Sequence, residues 1–223
     1  MSKNSVDTIL KKFLSNKIIP VFYHDDIDIC KTVLEIFFKE DVTIFEFTNR
    51  GENALKNFEI LQQFRQTSLP DLQLGAGTIK NETDAENFIN AGASFIVSPV
   101  LQPAVALYCS QQNVLHIPGC ITPTEIQEAI NLSAVLIKLF PANFLSPSFL
   151  HAIKPVFPNT FFMPTGGIAI EEKSLAAWFN AGVSCIGFGS NLITNEIIKE
   201  KNWNALKQNI QKLKQIITAI NAV

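Results

Sequence analysis

Lys138 stands in the run AVLIKLFP, flanked by Val135, Leu136, Ile137, Leu139 and Phe140. Lysine is rarely buried without a partner or a task, so an amine in such company calls for a chemical reading. At its reference pKa near 10.4 a lysine is neutral in only about 0.04% of molecules at pH 7, and only the neutral amine attacks a carbonyl. Desolvation in apolar surroundings lowers that pKa toward the working range, which is how a lysine becomes a nucleophile for Schiff-base chemistry.

A second run, VTIFEFTNR, supplies complementary groups. Strand alternation puts Ile44, Glu46, Thr48 and Arg50 on one face and Phe45 and Phe47 on the other. The phenylalanines suit a contact with helices, which leaves a carboxylate, a hydroxyl and a guanidinium on the opposite, lumen-facing side. Glu46 can carry the proton traffic that carbinolamine formation, dehydration and carbon–carbon cleavage require. An ionised Glu46 beside Lys138 would stabilise the ammonium, so the two are expected to titrate together. Arg50, one of only two arginines, presents a planar fork matched to a carboxylate such as that of a 2-keto acid. The same residues also admit a plainer arrangement: a buried structural ion pair between two strands, and a surface charge at a strand end.

Two glycine-bearing turns, GAGT (75–78) and PTGGI (164–168), follow strand-like runs, and GFGS (187–190) comes later. Backbone N–H groups at such turns can cradle an anion, although glycine pairs also serve tight turns alone. PTGGI with GFGS carries more weight, because a phosphate site after strands seven and eight recurs in (β/α)₈ barrels. His24, His116 and His151 are far apart, and none has a second His or Cys at ligand spacing, so no metal site is expected. That favours the Schiff-base route over a metal-dependent aldol cleavage. His116, inside a strand-like run, reads as a core imidazole.

The elements that must hold these groups follow from the hydrophobic pattern. Apolar or β-branched runs begin near Ile18, Val42, Leu72, Ser94, Leu115, Val135, Thr160 and Ser184, with helical spacing between them. Eight such βα units within 223 residues, with no linker-like stretch between halves, predict one (β/α)₈ barrel domain over 1–223 rather than an open sheet. The segments AGASFIVSP (91–99) and AGVSCIGFG (181–189) echo each other, each with Gly just past a helix. Val6, Ile9, Leu10, Phe13 and Leu14 share one helical face, which predicts an N-terminal helix over 1–16 packed on the barrel. Glu196 to Ile220 reads as one last helix, with Trp203, Leu206, Ile210, Leu213 and Ile217 on one face.

Bulk properties narrow the setting. Charge is nearly balanced, 18 Lys+Arg against 20 Asp+Glu, with no basic stripe for a phosphate backbone, so nucleic acid is not an expected partner. The longest apolar runs, such as IIPVF, fall far short of a bilayer span, and no signal or transit pattern opens the chain. Cys30, Cys109, Cys120 and Cys185 are dispersed and never form CxxC, as expected for buried free thiols in a reducing cytoplasm.

Taken in order, IIPV (18–21), EFTNR (46–50), GAGT (75–78), SP (98–99), IPGCITPTE (117–125), IKLFPA (137–142), PTGGI (164–168) and GFGSNLI (187–193) resemble the 2-keto-3-deoxy-6-phosphogluconate (KDPG) and 4-hydroxy-2-oxoglutarate aldolases. The likeness spans nearly the whole chain, and the order and spacing of the motifs make it specific. It implies a (β/α)₈ barrel working as a homotrimer without a cofactor. Lys138 would be the Schiff-base residue and Glu46 the general acid/base. Arg50 and Thr78 would hold the pyruvoyl carboxylate with Pro99 beside it, and Thr165, Gly166, Gly167 and Ser190 would receive a distal phosphate. The implied reaction cleaves 2-dehydro-3-deoxy-6-phosphogluconate to pyruvate and glyceraldehyde 3-phosphate, with 4-hydroxy-2-oxoglutarate as a second substrate. Two departures from the family pattern stand out: Asn143 where an acidic residue is usual, and bulky Phe188 between Gly187 and Gly189, expected to narrow the distal pocket. The rival expectations are a phosphogalactonate-directed relative, against which Arg50 leans, and a non-catalytic barrel that binds phosphorylated metabolites.

Overall fold

The computed structural model describes residues 5–221 and is an α/β fold around a curled, all-parallel sheet. Its strands are β1 (Ile18–Phe22), β2 (Ile44–Thr48), β3 (Gln73–Gly77), β4 (Phe95–Val97), β5 (Leu115–Ile117), β6 (Gly119–Cys120), β7 (Leu136–Leu139), β8 (Phe161–Pro164) and β9 (Ile186–Phe188). Each expected strand start lies within two residues of an observed one, or opens a strand directly. Strands β5-β4-β3-β2-β1-β9 pair in that order, β6-β7-β8 form a second stretch, and a parallel bridge from Thr165 to Gly187 joins β8 to β9.

The fifth expected strand is divided at Pro118, which has no N–H to give to a ladder. Its carbonyl still accepts from the Lys138 N–H at 2.9 Å, so the break does not uncouple β7 from the strand before it. Helices α2 (Ile27–Lys39), α3 (Ala54–Ser68), α4 (Glu82–Asn90), α5 (Pro103–Gln111), α6 (Pro123–Asn131), α7 (Pro147–Ile153) and α8 (Glu172–Asn180) alternate with the strands. Polar side chains start several of them, including a complete capping box in which Thr122 and Glu125 bond each other's backbone N–H groups. Helices α4 and α8 end on Ala91 and Ala181, followed by Gly92 and Gly182 at φ 97° and 98°, the left-handed exits that the two echoing segments predicted.

The single closing helix expected over Glu196–Ile220 is instead two, α9 (Asn195–Glu200) and α10 (Trp203–Asn221). Lys201 turns left-handed at φ 50°, and the Asn202 side chain accepts from the Ala205 N–H at 3.2 Å, starting a new helix where no Gly or Pro marks a stop. The expected apolar face survives in α10, where Leu206, Ile210, Leu213 and Ile217 are buried.

Apolar side chains form two layers. Alternate residues of the strands point outward, where Phe45 meets Phe37 of α2 and Phe47 meets Phe58 of α3 at 5.6 and 6.2 Å between centroids. The other set points inward and forms a separate cluster with Ile19, Ile44, Phe95, Val97, Leu115, Ile117, Leu136 and Met163. Helix α1 (Val6–Asn16) adds Ile9 and Phe13 to this inner cluster, and the Phe13 ring meets Phe95 edge-on at 4.8 Å. Residues 1–4 of the expected N-terminal helix lie outside the described residues. Phe13→Ala is expected to lower unfolding stability by about 3–5 kcal/mol, the usual range for truncating a fully buried phenylalanine. Urea denaturation measures it, and a change below ~1 kcal/mol would mean that α1 merely lies against the barrel.

Candidate active site

Inward alternation places Lys138 of β7 one step above Leu136 of the inner cluster, while Ile137 and Leu139 face the helices. Glu46 of β2 reaches the same lumen from across the curled sheet. Its Oε1 accepts from Lys138 Nζ at 3.2 Å, with the two side chains 0% and 5% exposed. In such a place each charge needs the other, since a lone buried ion costs several kcal/mol. The Phe140 ring lies 5.3 Å from Nζ and adds a second contact for the amine. The Glu46 carboxylate lies so close to Gly77 of β3 that a Cβ there would strike it. Glycine at 77 is thus the condition for Glu46 to lie along β3 toward Lys138.

Two buried polar atoms among the described residues have no hydrogen-bond partner: Oε2 of Glu46 and Oγ1 of Thr165. Native proteins seldom leave such atoms unsatisfied; the Glu46 oxygen sits on the carboxylate that holds Lys138, and the Thr165 hydroxyl lies against Gly187. Thr165 follows β8 and lines a cavity of about 320 Å³ together with Thr48, Arg50, Phe140, Gly166, Gly167 and Ser190. Gly166 and Gly167 take φ 98° and 76°, the turn conformation that glycine allows.

Arg50 is exposed at the cavity wall, and its Nε donates to Thr78 Oγ1 at 3.4 Å. Thr78 holds φ 62°, a left-handed value that is a true outlier for a β-branched residue. Backbone in that state costs on the order of 1–3 kcal/mol and persists only where its surroundings enforce it. Pro99 does not line the cavity. Its carbonyl packs against Gly119 of β6, the residue in register with Lys138, so Pro99 borders the strand next to the lysine's instead. Phe188 borders the cavity and is buried with the outer cluster between sheet and helices.

Among the described residues no group of three or more His, Cys, Asp or Glu could hold a metal ion. The four cysteines are free and buried, and burial pushes the thiols of Cys30, Cys109 and Cys120 up to about 12. No described helix is long and apolar enough to cross a membrane.

His116 sits between sheet and helices with its Nε2 2.9 Å from Ser98 Oγ, and burial lowers its pKa from 6.5 to about 4. An unfolded chain therefore takes up a proton near pH 6.5 that the folded one refuses until about pH 4, so stability is lost as pH falls through that window. Between pH 7 and pH 5 the loss from this group is about 2 kcal/mol. His116→Gln is expected to flatten that part of the stability profile, measured by denaturant titration at the two pH values. Parallel profiles for the two proteins would show that His116 is not the group responsible.

A family model described as "KDPG and KHG aldolase" matches residues 6–209. The chain belongs to the KDPG and KHG aldolase family. Within it, the chain is 27% identical to a 2-dehydro-3-deoxy-phosphogluconate aldolase of Haemophilus influenzae over 94% of this chain and 96% of that protein. It is 30% identical to the protein of that name from Treponema pallidum, covering 74% of this chain and 77% of the relative. A crystal structure of the KDPG aldolase of Legionella pneumophila superimposes with a TM-score of 0.81 at 27% identity, covering 91% of this chain and 96% of the other. That crystal holds pyruvate captured at low pH as a covalent carbinolamine intermediate.

In this KDPG and KHG aldolase, the sequence-derived residues divide by place. Lys138 and Glu46 meet in the buried lumen and do not themselves line the cavity, Arg50 lines it and touches Thr78, which does not, and Thr165, Gly166, Gly167 and Ser190 line it together. Sequence reasoning missed Phe22, Tyr23, His24 and Asn191, which also line it. Tyr23 and His24 directly follow β1, and in a barrel the ends of all strands converge on one face, so their position was the available signal.

Proposed function

We propose that this chain is a class I aldolase that reversibly cleaves 2-dehydro-3-deoxy-6-phosphogluconate to pyruvate and glyceraldehyde 3-phosphate through a Schiff base on Lys138. The observation that carries the reading is the buried Lys138–Glu46 pair, whose second carboxylate oxygen is unpartnered beside the lumen. A proton-transfer group held against an amine in an enclosed lumen suits imine chemistry better than a static ion pair, which would use both oxygens.

The neutral amine adds to the C2 carbonyl, and the carbinolamine loses water to give an iminium. Glu46 takes the C4 hydroxyl proton, the C4 oxygen forms the aldehyde carbonyl, and the C3–C4 bond breaks. Its electron pair moves onto the iminium nitrogen, leaving an enamine. Glu46 returns the proton to C3, and hydrolysis of the imine releases pyruvate and the free amine. In this reading Arg50 and Thr78 hold the pyruvoyl carboxylate with Pro99 beside it, and Thr165, Gly166, Gly167 and Ser190 receive the distal phosphate. 4-Hydroxy-2-oxoglutarate, which yields pyruvate and glyoxylate, is a second substrate.

The same reading takes the chain as one closed (β/α)₈ barrel domain over residues 1–223, capped by its N-terminal helix, assembling as a cytoplasmic homotrimer and needing no cofactor. The bridge between Thr165 and Gly187 and the burial of Ile9 and Phe13 support the closure and the cap. Incubation with pyruvate and borohydride is expected to reduce the imine and leave an adduct that peptide mass spectrometry maps to Lys138. Labelling at another lysine, or none, would remove the assignment, and loss of turnover on adding a chelator would count against metal-free chemistry.

A further inference from the structure

Tyr23, which no sequence motif singled out, sits where it controls the loop that carries Arg50. Its ring tilts against Phe47 at 5.4 Å and lies against Gly51, where a Cβ would collide with the end of the ring. The phenol hydroxyl donates to Asp25 Oδ1, and the Asn53 backbone amide faces the phenol oxygen itself. Asp25 is itself fixed, because the Asn57 side-chain amide of α3 donates to the Asp25 and His24 carbonyls at 2.9 and 3.2 Å. The 51–53 segment is thus gripped from beneath by one phenol anchored on the β1–α2 loop. Arg50, directly before that segment, has one modest side-chain bond of its own, the 3.4 Å contact to Thr78, and is otherwise exposed.

From this geometry we infer that Tyr23 is a positioning residue for substrate carboxylate binding: its hydroxyl, bridging Asp25 and the 51–53 turn, sets the height of Arg50 over the cavity. The inference rests on the reading that Arg50 receives the carboxylate of the keto acid. Burial, and then the bond to Asp25, push the phenol up to about 12, so the hydroxyl remains a donor across the working range. A long, exposed arginine loses much rotamer freedom when it binds a ligand, and a turn that fixes its Cα reduces that loss. Tyr23 lines the cavity with Arg50, whereas Lys138 does not line it, so Tyr23 should act on binding and leave the chemical step alone.

The test is the pyruvate dependence of borohydride trapping at Lys138 in Tyr23→Phe, Arg50→Ala and the double variant. Tyr23→Phe keeps the ring and loses only the bridge. It is expected to raise the half-saturating pyruvate concentration about five- to tenfold, with the trapping rate at saturation within about twofold of the parent. Arg50→Ala should raise it roughly ten- to a hundredfold, and in that background Tyr23→Phe should add nothing. Gly51→Ala, whose added Cβ would strike the Tyr23 hydroxyl and the end of its ring and so push the turn away, should reproduce the Tyr23→Phe effect. If Arg50→Ala raises the requirement but Tyr23→Phe has no effect, or its effect multiplies with that of Arg50→Ala, the positioning role is wrong and the Arg50 reading stands. If Arg50→Ala itself changes nothing, the carboxylate assignment fails, and the role of Tyr23 with it.

Discussion

Lys138→Met is expected to lower aldol cleavage by at least about four orders of magnitude, the scale of loss when a covalent nucleophile is removed. Methionine keeps the length and most of the volume of the lysine and can pack beside Leu136 and Phe140, so the lumen stays filled. It cannot form the imine, and without an electron sink the C3–C4 bond has nowhere to send its electrons. The variant also strands Glu46, whose side chain bonds, among the described residues, to the lysine alone, at 3.2 Å. Breaking a buried pair from one side costs about 3–5 kcal/mol, so reduced stability could be mistaken for lost chemistry. The double variant Lys138→Met/Glu46→Gln separates the two: it should regain most of the stability and none of the turnover. Cleavage by the soluble, folded double variant at more than about 1% of the parental rate would overturn the Schiff-base account.

Glu46→Gln is expected to reduce kcat for cleavage by about 10²- to 10⁴-fold, the range for a general acid/base. Glutamine fits the same space against Gly77, and its amide oxygen still accepts from Lys138 Nζ, so geometry is preserved. What disappears is the ability of the unpartnered oxygen to accept a proton from the C4 hydroxyl and return it to C3. Trapping of pyruvate at Lys138 should continue at a lower rate, because imine formation can borrow water for its proton transfers while bond cleavage is more demanding. Deuterium exchange into the pyruvate methyl group gives the separate readout, and it should slow in parallel with cleavage. Equal loss of trapping and exchange would mean that Glu46 serves mainly to hold the lysine.

Much of this is legible in the sequence alone. The alternation in VTIFEFTNR sorts Phe45 and Phe47 from Glu46 because a strand has a strict period of two, and a sheet with helices on one side makes that sorting physical. Lys138 stood out for the same reason, as a charge written in a position where its neighbours forbid water. What escaped the reading depends on backbone detail that composition does not encode. Lys201 turns left-handed although nothing nearby is Gly or Pro, and the cap that follows comes from Asn202, a residue equally at home on a helix surface. The division at Pro118 rests on a residue visible in the sequence, a proline with no N–H for the ladder. Tyr23 was invisible because its task lies in contacts with Gly51, Asn53 and Asp25, which come together only when β1 and β2 lie side by side.

In the capped barrel proposed above, Phe13 and Ile9 stop the far end, and traffic would have a single doorway, on the side of Arg50 and Ser190. A two-piece product leaving by one door must queue. The aldehyde fragment, nearer the threshold, departs before the piece still tethered to the amine, and pyruvate is therefore the last out and the first in. Added pyruvate should compete with the sugar acid for the empty enzyme, while the aldehyde should inhibit in a different pattern, one that no concentration of sugar acid fully relieves.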